Sequence, residues 1–315
     1  MDGPWRRGND FERHDGALSM GFSAVTTIVT PAANYDLTDL ASAKVELSIT
    51  TTTDDAWLAK AVSQVSRAIS SETQRVLVPE VVQDLFELDR QLAHRGSSRL
   101  ALKVQLSRWP VIDIVSVVKT LSTGLTQTLV EGTDFRVNLS DGTLTRLDPV
   151  SGAVLSWEAD PLTVIYMAGY GSLATETHSV PVSPYQVTVS QSAAFSCDQS
   201  VKYASGTALT RVSGNPAAGQ YSVAAGVYTF AAADSGQSLT FAYGVKSIPD
   251  DLAEICLRLI TARYRGKDRD PSLVQQETPG VGMRRWWFGG APGQTGPFAP
   301  DIAAALEPYC MPVVA

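Results

Sequence analysis

The sequence predicts an α+β fold: a small antiparallel helical bundle core with an inserted antiparallel β unit, a second β module and an extended C-terminal arm. Three observations lead there. Apolar residues recur at helical spacing in two distant stretches, near residues 57–69 and 252–260. Between them the period changes to two, and glycine-marked turns separate β-branched runs. Beyond residue 268, prolines at 271, 279, 292, 297, 300, 308 and 312 forbid long regular structure.

Taken in order, residues 1–33 read as a flexible N-terminal leader. Residues 1–19 are polar, charged and aperiodic, and patterning begins at Met20, which reads as the natural start. Residues 34–173 form the core, helices plus β insertion. Thr38 or Asp36 can cap a short helix bearing Leu40, Ala43, Val45 and Leu47. Asp54 and Asp55 then head a longer one, with Trp57, Leu58, Val62, Val65 and Ile69 on one face. After Pro79 the pattern alternates, and Asp141-Gly142 is a strong hairpin signal.

Residues 174–183 read as a linker, and 184–245 as an inserted β module. That module repeats a theme. EGTDFRV, DGTLTRL and PLTVIYMAGYG are followed later, in the same order, by AGQYSV, AGVYTF and QSLTFAYGV. Residues 246–267 return to helix, with Leu252, Ile255, Cys256, Leu259 and Ile260 as its stripe. This helix is the expected partner of the one headed by Asp54 and Asp55, with Trp57, Val65, Ile69, Leu252, Ile255 and Leu259 packing between them. Residues 268–315 form the extended arm.

Composition narrows the function. The 315 residues are 44% hydrophobic and 18% charged, enough apolar content for a sizeable core. A net charge of −7 argues against wrapping nucleic acid with a broad basic face. Three widely spaced cysteines, Cys197, Cys256 and Cys310, fit a reducing compartment better than a disulfide framework. No apolar run reaches the length of a membrane span, so no membrane partner is expected. There is no secretory signal pattern either.

Catalytic chemistry finds no foothold. His14, His94 and His178 are scattered, without Cys, Asp or Glu at ligand spacing. Asp54-Asp55 and Asp250-Asp251 sit where helices start, and capping accounts for them. Gly169, Gly171 and Ala174 match a dinucleotide-binding spacing, but the following residues cannot open the helix such a site needs. No enzyme activity, cofactor or metal is therefore expected. Two clusters invite binding instead. Arg263, Arg265, Lys267 and Arg269 could meet an acidic partner or passing DNA. Arg284, Arg285, Trp286, Trp287 and Phe288 combine the residue types that dominate protein interfaces.

The order of these parts resembles a known family. DDAWLAKAVSQVSRAISSETQR, RWPVIDIVSV, EGTDFRV, VIYMAGYG, IPDDLAEICLRLITARYRGKD and a PGVG arm ending near LEPYCMP are similar, in sequence and spacing, to phage head–tail connector (adaptor) proteins. These form the ring below the portal in tailed bacteriophages and gene transfer particles. The resemblance covers residues 34–173 and 245–315. It implies a structural virion protein of the neck, made in the host cytoplasm, that binds the portal protein after DNA packaging and links the capsid to a tail completion or stopper protein. It also implies a homo-oligomeric, twelvefold ring with DNA passing through its lumen without sequence specificity. The arm would dock on the portal through Gly280, Gly282, Arg284, Arg285, Trp286, Trp287, Phe288 and Tyr309. The alternative is a tail or fibre component whose β modules bind a host surface.

Overall fold

A computed structural model describes residues 23–87, 103–157, 160–267, 275–278, 282–285 and 298–310. Among them, eighteen strands stand beside four α-helices, α1 (Leu40–Glu46), α2 (Asp55–Thr73), α3 (Asp250–Arg265) and α4 (Pro300–Leu306). The helical bundle core expected from the sequence is therefore wrong. The chain is mostly β, and the helices form a layer over part of it. The helical stripes are easy to read because each is continuous in sequence. The β cores are assembled from short strands distant in sequence, so their size is hidden until the strands pair.

The first β unit is a sandwich. One sheet has the order β1 (Ser23–Thr30), β2 (Glu80–Glu87), β9 (Leu162–Ala168), β4 (Val111–Thr120), β5 (Thr126–Leu129). The facing sheet is β3 (Lys103–Gln105), β7 (Thr143–Leu147), β6 (Phe135–Asn138), with β8 (Val154–Leu155) on β7. Val82, Phe86, Val104, Phe135, Leu144, Val164 and Tyr166 fill the space between. Two expectations change here. Ser23–Thr30, assigned to a leader, is the edge strand of this sheet, because β2 supplies a ladder along its whole length. Val45 is 80% exposed instead of lying on a buried stripe.

The second sandwich pairs β10 (Gly171–Ser179), β16 (Ser238–Lys246) and β12 (Phe195–Tyr203) in one sheet. The other is β11 (Gln186–Thr188), β15 (Val227–Phe230), β14 (Gln220–Ala224) and β13 (Thr210–Arg211). Val187, Val201, Tyr221, Tyr228, Phe241 and Tyr243 form its core. Most of the expected linker is strand β10. Its polar sequence gives no strand signal, but pairing to β16 satisfies the backbone groups on its inner side.

The two sandwiches share one plan down to the rungs of their ladders. In β4, Val111, Asp113, Ile114 and Ser116 oppose Ala168, Met167, Tyr166 and Ile165, with register shifts after Val111 and Ile114. In β12, Phe195, Cys197, Asp198 and Ser200 oppose Val245, Gly244, Tyr243 and Ala242, with shifts at the same two places. Bulges re-aim a strand and stay fixed within families, so their coincidence marks a structural repeat. The hairpins match as well. Phe135 pairs with Arg146 in one and Tyr221 with Phe230 in the other. The backbone N–H of Leu106 donates to Gly142 and that of Val189 to Gly226, at 2.9 and 3.0 Å. Both glycines have positive φ, 67° and 78°, as the turns require.

The units meet at a small apolar junction of Val81, Met167 and Cys197. Gly244 makes room for it, since a Cβ there would lie 2.9 Å from the Cys197 sulfur and 3.0 Å from the Met167 sulfur. No helix among the described residues is long and apolar enough to cross a membrane.

Candidate docking surface at the helical layer

The expected helix pair does form. Leu58, Val62, Val65 and Ile69 of α2 pack with Leu252, Ile255, Cys256 and Ile260 of α3, and Trp57 and Leu259 close the margin. Burying such side chains stabilises by about 1.5–3 kcal/mol each. The helix ends differ from the capping picture. Asp39 caps α1, accepting from the Ser42 N–H at 2.6 Å. That bond, together with others from the same turn, holds its carboxyl below the usual range against the opposing effect of burial. Asp54 makes no side-chain cap on α2. It reaches across to α3, accepting from the Tyr264 hydroxyl at 2.6 Å and from Lys267 Nζ at 2.7 Å.

This fastening decides part of the basic cluster. Lys267 is paired with Asp54 and lies over the Tyr264 ring at 4.4 Å, while Arg263 donates to Gln64 Oε1 at 3.3 Å. Arg263 and Arg265 remain on the surface, both exposed. Arg269 lies outside the described residues. Lys267 is thus a poorer candidate for an acidic partner than its two neighbours.

The C-terminal segment returns across the helices. Leu306 of α4 is fully buried in the helical core, with Phe298, Ile302 and Tyr309 packed beside it. Tyr309, expected on the docking arm, contacts its own chain. Its ring meets Tyr170 edge-on at 5.8 Å, and its hydroxyl donates to Asp251. Burial, then Asp251, pushes the phenol pKa up. Arg75 ties the same place to the first sandwich. Its guanidinium sits 4.8 Å from the Trp109 ring and donates to the carbonyls of Trp109 and, at 3.2 Å, Tyr309.

Beside Arg75 is a cleft of about 310 Å³ lined by Ser70, Ser71, Gln74, Arg75, Val76, Ser107, Arg108 and Trp109. Sequence reading missed Arg75, Trp109 and Tyr170 as partners, since nothing local links residues so far apart. The remaining arm residues divide. Gly282, Arg284 and Arg285 lie in β18 (Gly282–Arg285), which pairs antiparallel with β17 (Gln275–Thr278). Gly280, Trp286, Trp287 and Phe288 lie outside the described residues.

Each sandwich also holds a polar node. Asp84 accepts from Ser107 N–H at 2.8 Å, Ser107 Oγ at 2.7 Å and the Tyr166 hydroxyl at 2.8 Å. At the equivalent rung, Glu176 accepts from Ser190 N–H at 2.9 Å and from Ser190 Oγ at 2.5 Å. The second sandwich adds Asp198, which accepts from Tyr221 at 2.6 Å and Tyr228 at 2.9 Å. Burial raises its carboxyl pKa despite those donors. Among the described residues, no group of three or more His, Cys, Asp or Glu side chains is placed to hold a metal ion.

No protein-family model matches the chain, and no curated protein does. Among solved structures, the chain is similar to one from the neck of an empty gene transfer agent particle determined with C6 symmetry, at 11% identity and a TM-score of 0.42. That match covers 92% of this chain and 97% of the other. A chain from the virion of the native gene transfer agent particle matches at 12% identity and 0.42, with the same coverages. A third, from the native neck with C12 symmetry, matches at 12% identity and 0.37, covering 89% and 96%.

Proposed function

We propose that this chain is a structural neck component of a virion or phage-like particle, a head–tail connector that binds the portal and links the head to the tail. One observation carries the reading. The two helical stretches of the connector-like motif order, α2 and α3, pack as a pair although the whole second β sandwich, and all of the first but its edge strand β1, lie between them in sequence. The part is read as structural, not catalytic. Its proposed partners are the portal, a stopper or tail-completion protein, and further copies of itself in a ring around the DNA path.

In this reading the arm residues Arg284, Arg285, Trp286, Trp287 and Phe288 supply portal contacts. A ring repeats each contact around its axis, so modest individual contacts sum through avidity. The Asp54 fastening keeps the helical layer rigid. Arg263 and Arg265 are the residues left to face phosphates or an acidic partner.

The test uses full-length protein and purified tailless, DNA-filled heads, separated by sedimentation. Co-sedimentation with the heads, and antibody labelling at the neck of whole particles, is the expected result. Absence from the heads, or labelling at the tail tip, would replace this reading with the tail or fibre one.

A further inference from the structure

The repeat shows what the second sandwich lacks. In the first, β2 is covered on its outer side by β1. Its counterpart β10 is an edge, with no strand on its outer side among the described residues. β10 is nine residues long, and its outward face from Leu173 through Thr175, Thr177 and Ser179 is exposed and uncharged. Among the described residues β1 is itself an edge, eight residues long and uncharged, with Val25 60% and Val29 49% exposed.

Long, flat, uncharged edges are templates for pairing, and natural proteins blunt them when they are to stay free. The other edges of these two sandwiches are blunted. β5 has four residues, and β11 and β13 have three and two. Lys103, Arg136 and Lys202 place charges on β3, β6 and β12. Among the described residues, β1 and β10 are the two long edges whose exposed face carries no charge; the charged side chain of β10, Glu176, lies on its half-buried face beside His178 at 3.1 Å.

We infer that β1 of one copy pairs edge to edge with β10 of the next, antiparallel as β1 is to β2, and that this seam joins copies head to tail. The occupant of the β10 edge is therefore a second copy of this chain. Two different edges on one molecule make a heterologous contact, which generates rings or open chains instead of closed dimers. The seam would continue the three-stranded sheet of one copy into the five-stranded sheet of its neighbour. A seam of eight residues is smaller than the roughly 1,200–2,000 Å² of a stable standard interface. Single pairs of copies would then separate readily, and closure on a template would hold them. This inference rests on the ring assembly proposed above but is tested without any head.

In full-length protein carrying Cys310→Ser, Thr27→Cys and Thr175→Cys are introduced singly and together, and the concentrated proteins are treated with a short bismaleimide. The doubly substituted protein should yield a ladder of dimer, trimer and higher species, while each single substitution stops at dimer. Adding Val25→Lys and Val29→Lys should abolish the ladder and leave thermal unfolding unchanged. Failure of the double variant to pass beyond dimer, or a ladder that survives the lysines, overturns the seam. Either failure leaves the sedimentation result with heads untouched, so the two readings fall separately.

Discussion

Tyr166 and Tyr243 occupy the same rung in two copies of one ladder, opposite Ile114 and Asp198 respectively. Each hydroxyl accepts from the backbone N–H after the node serine, Arg108 at 3.1 Å and Gln191 at 3.4 Å. The carboxylate beside each differs in depth. Asp84 is fully buried, because β1 covers its strand, and Thr26 adds a donor at 2.7 Å. Glu176 stands on the uncovered β10 edge, with its side chain 18% exposed. One device thus serves as a core element in one sandwich and as a rim element in the other.

That difference predicts unequal costs for equivalent substitutions. Asp84→Asn turns an amide N–H₂ toward donors in a fully buried site, and should cost roughly 2–4 kcal/mol. Glu176→Gln, at the rim, should cost about 1 kcal/mol or less. Urea unfolding of the two variants and the parent checks the order. Equal losses would mean that β1 does not seal the first node.

Asp54 should control the pH limits of the helical layer. Hydrogen bonds from Lys267 and then Tyr264 hold its carboxyl below the usual range, so the stability it adds is present above the unfolded carboxylate value. It is lost as pH falls through the lower folded value. The same bonds raise Lys267 and Tyr264, whose contribution is full below their unfolded values and lost as pH rises through the folded ones. In Asp54→Asn both flanks of the stability profile should flatten. Melting temperatures across acid, neutral and alkaline buffers measure it, and an unchanged profile would show that the fastening is not formed in solution.

What could be read beforehand was whatever is local. Trp57 to Ile69 and Leu252 to Ile260 repeat within single segments, and Asp141-Gly142 marks its hairpin by itself. The strand at Gly171–Ser179 could not be read, because Glu176, Thr177 and His178 acquire strand character only through β16. The leader reading failed at Ser23–Thr30 for the same reason, with β2 as the partner. The order of motifs hinted at the repeat. Its strongest evidence, Ser107 and Ser190 placed alike on Asp84 and Glu176, involves no shared motif longer than one residue. Likewise, Asp54 resembles a cap in sequence because nothing local reveals Tyr264 as its partner.

The three thiols should separate by reactivity. Burial pushes Cys197 up to about 12 and Cys256 to about 11, and both are sealed in cores. Cys310 is half-buried at the end of the C-terminal segment. Burial, then Glu72 and Glu307, raise the Cys310 thiol as well, so access and not acidity sets it apart, and native protein should label first at Cys310. Mass spectrometry after a timed maleimide pulse reads this directly. Early labelling of Cys256 would mean that α2 and α3 part more easily than their packing implies.

The C-terminal region should divide into a structural part and a docking part, and the boundary decides how the arm can be tested. Deleting everything after residue 278 would remove Leu306, which is fully buried against the helical core, and with it the Tyr309 contacts to Tyr170 and Asp251. Leu306→Ala alone should cost roughly 2–5 kcal/mol, the range for buried leucine truncation. Loss of head binding in a truncated chain would therefore not distinguish docking from unfolding. The informative variant keeps the full chain and replaces Trp286, Trp287 and Phe288 with serine. Its thermal unfolding should match the parent, while co-sedimentation with heads falls steeply, since buried aromatics and arginines dominate interface energy. A variant that unfolds early would place those aromatics in the protein's own core, and one that still binds heads fully would move the portal contact elsewhere.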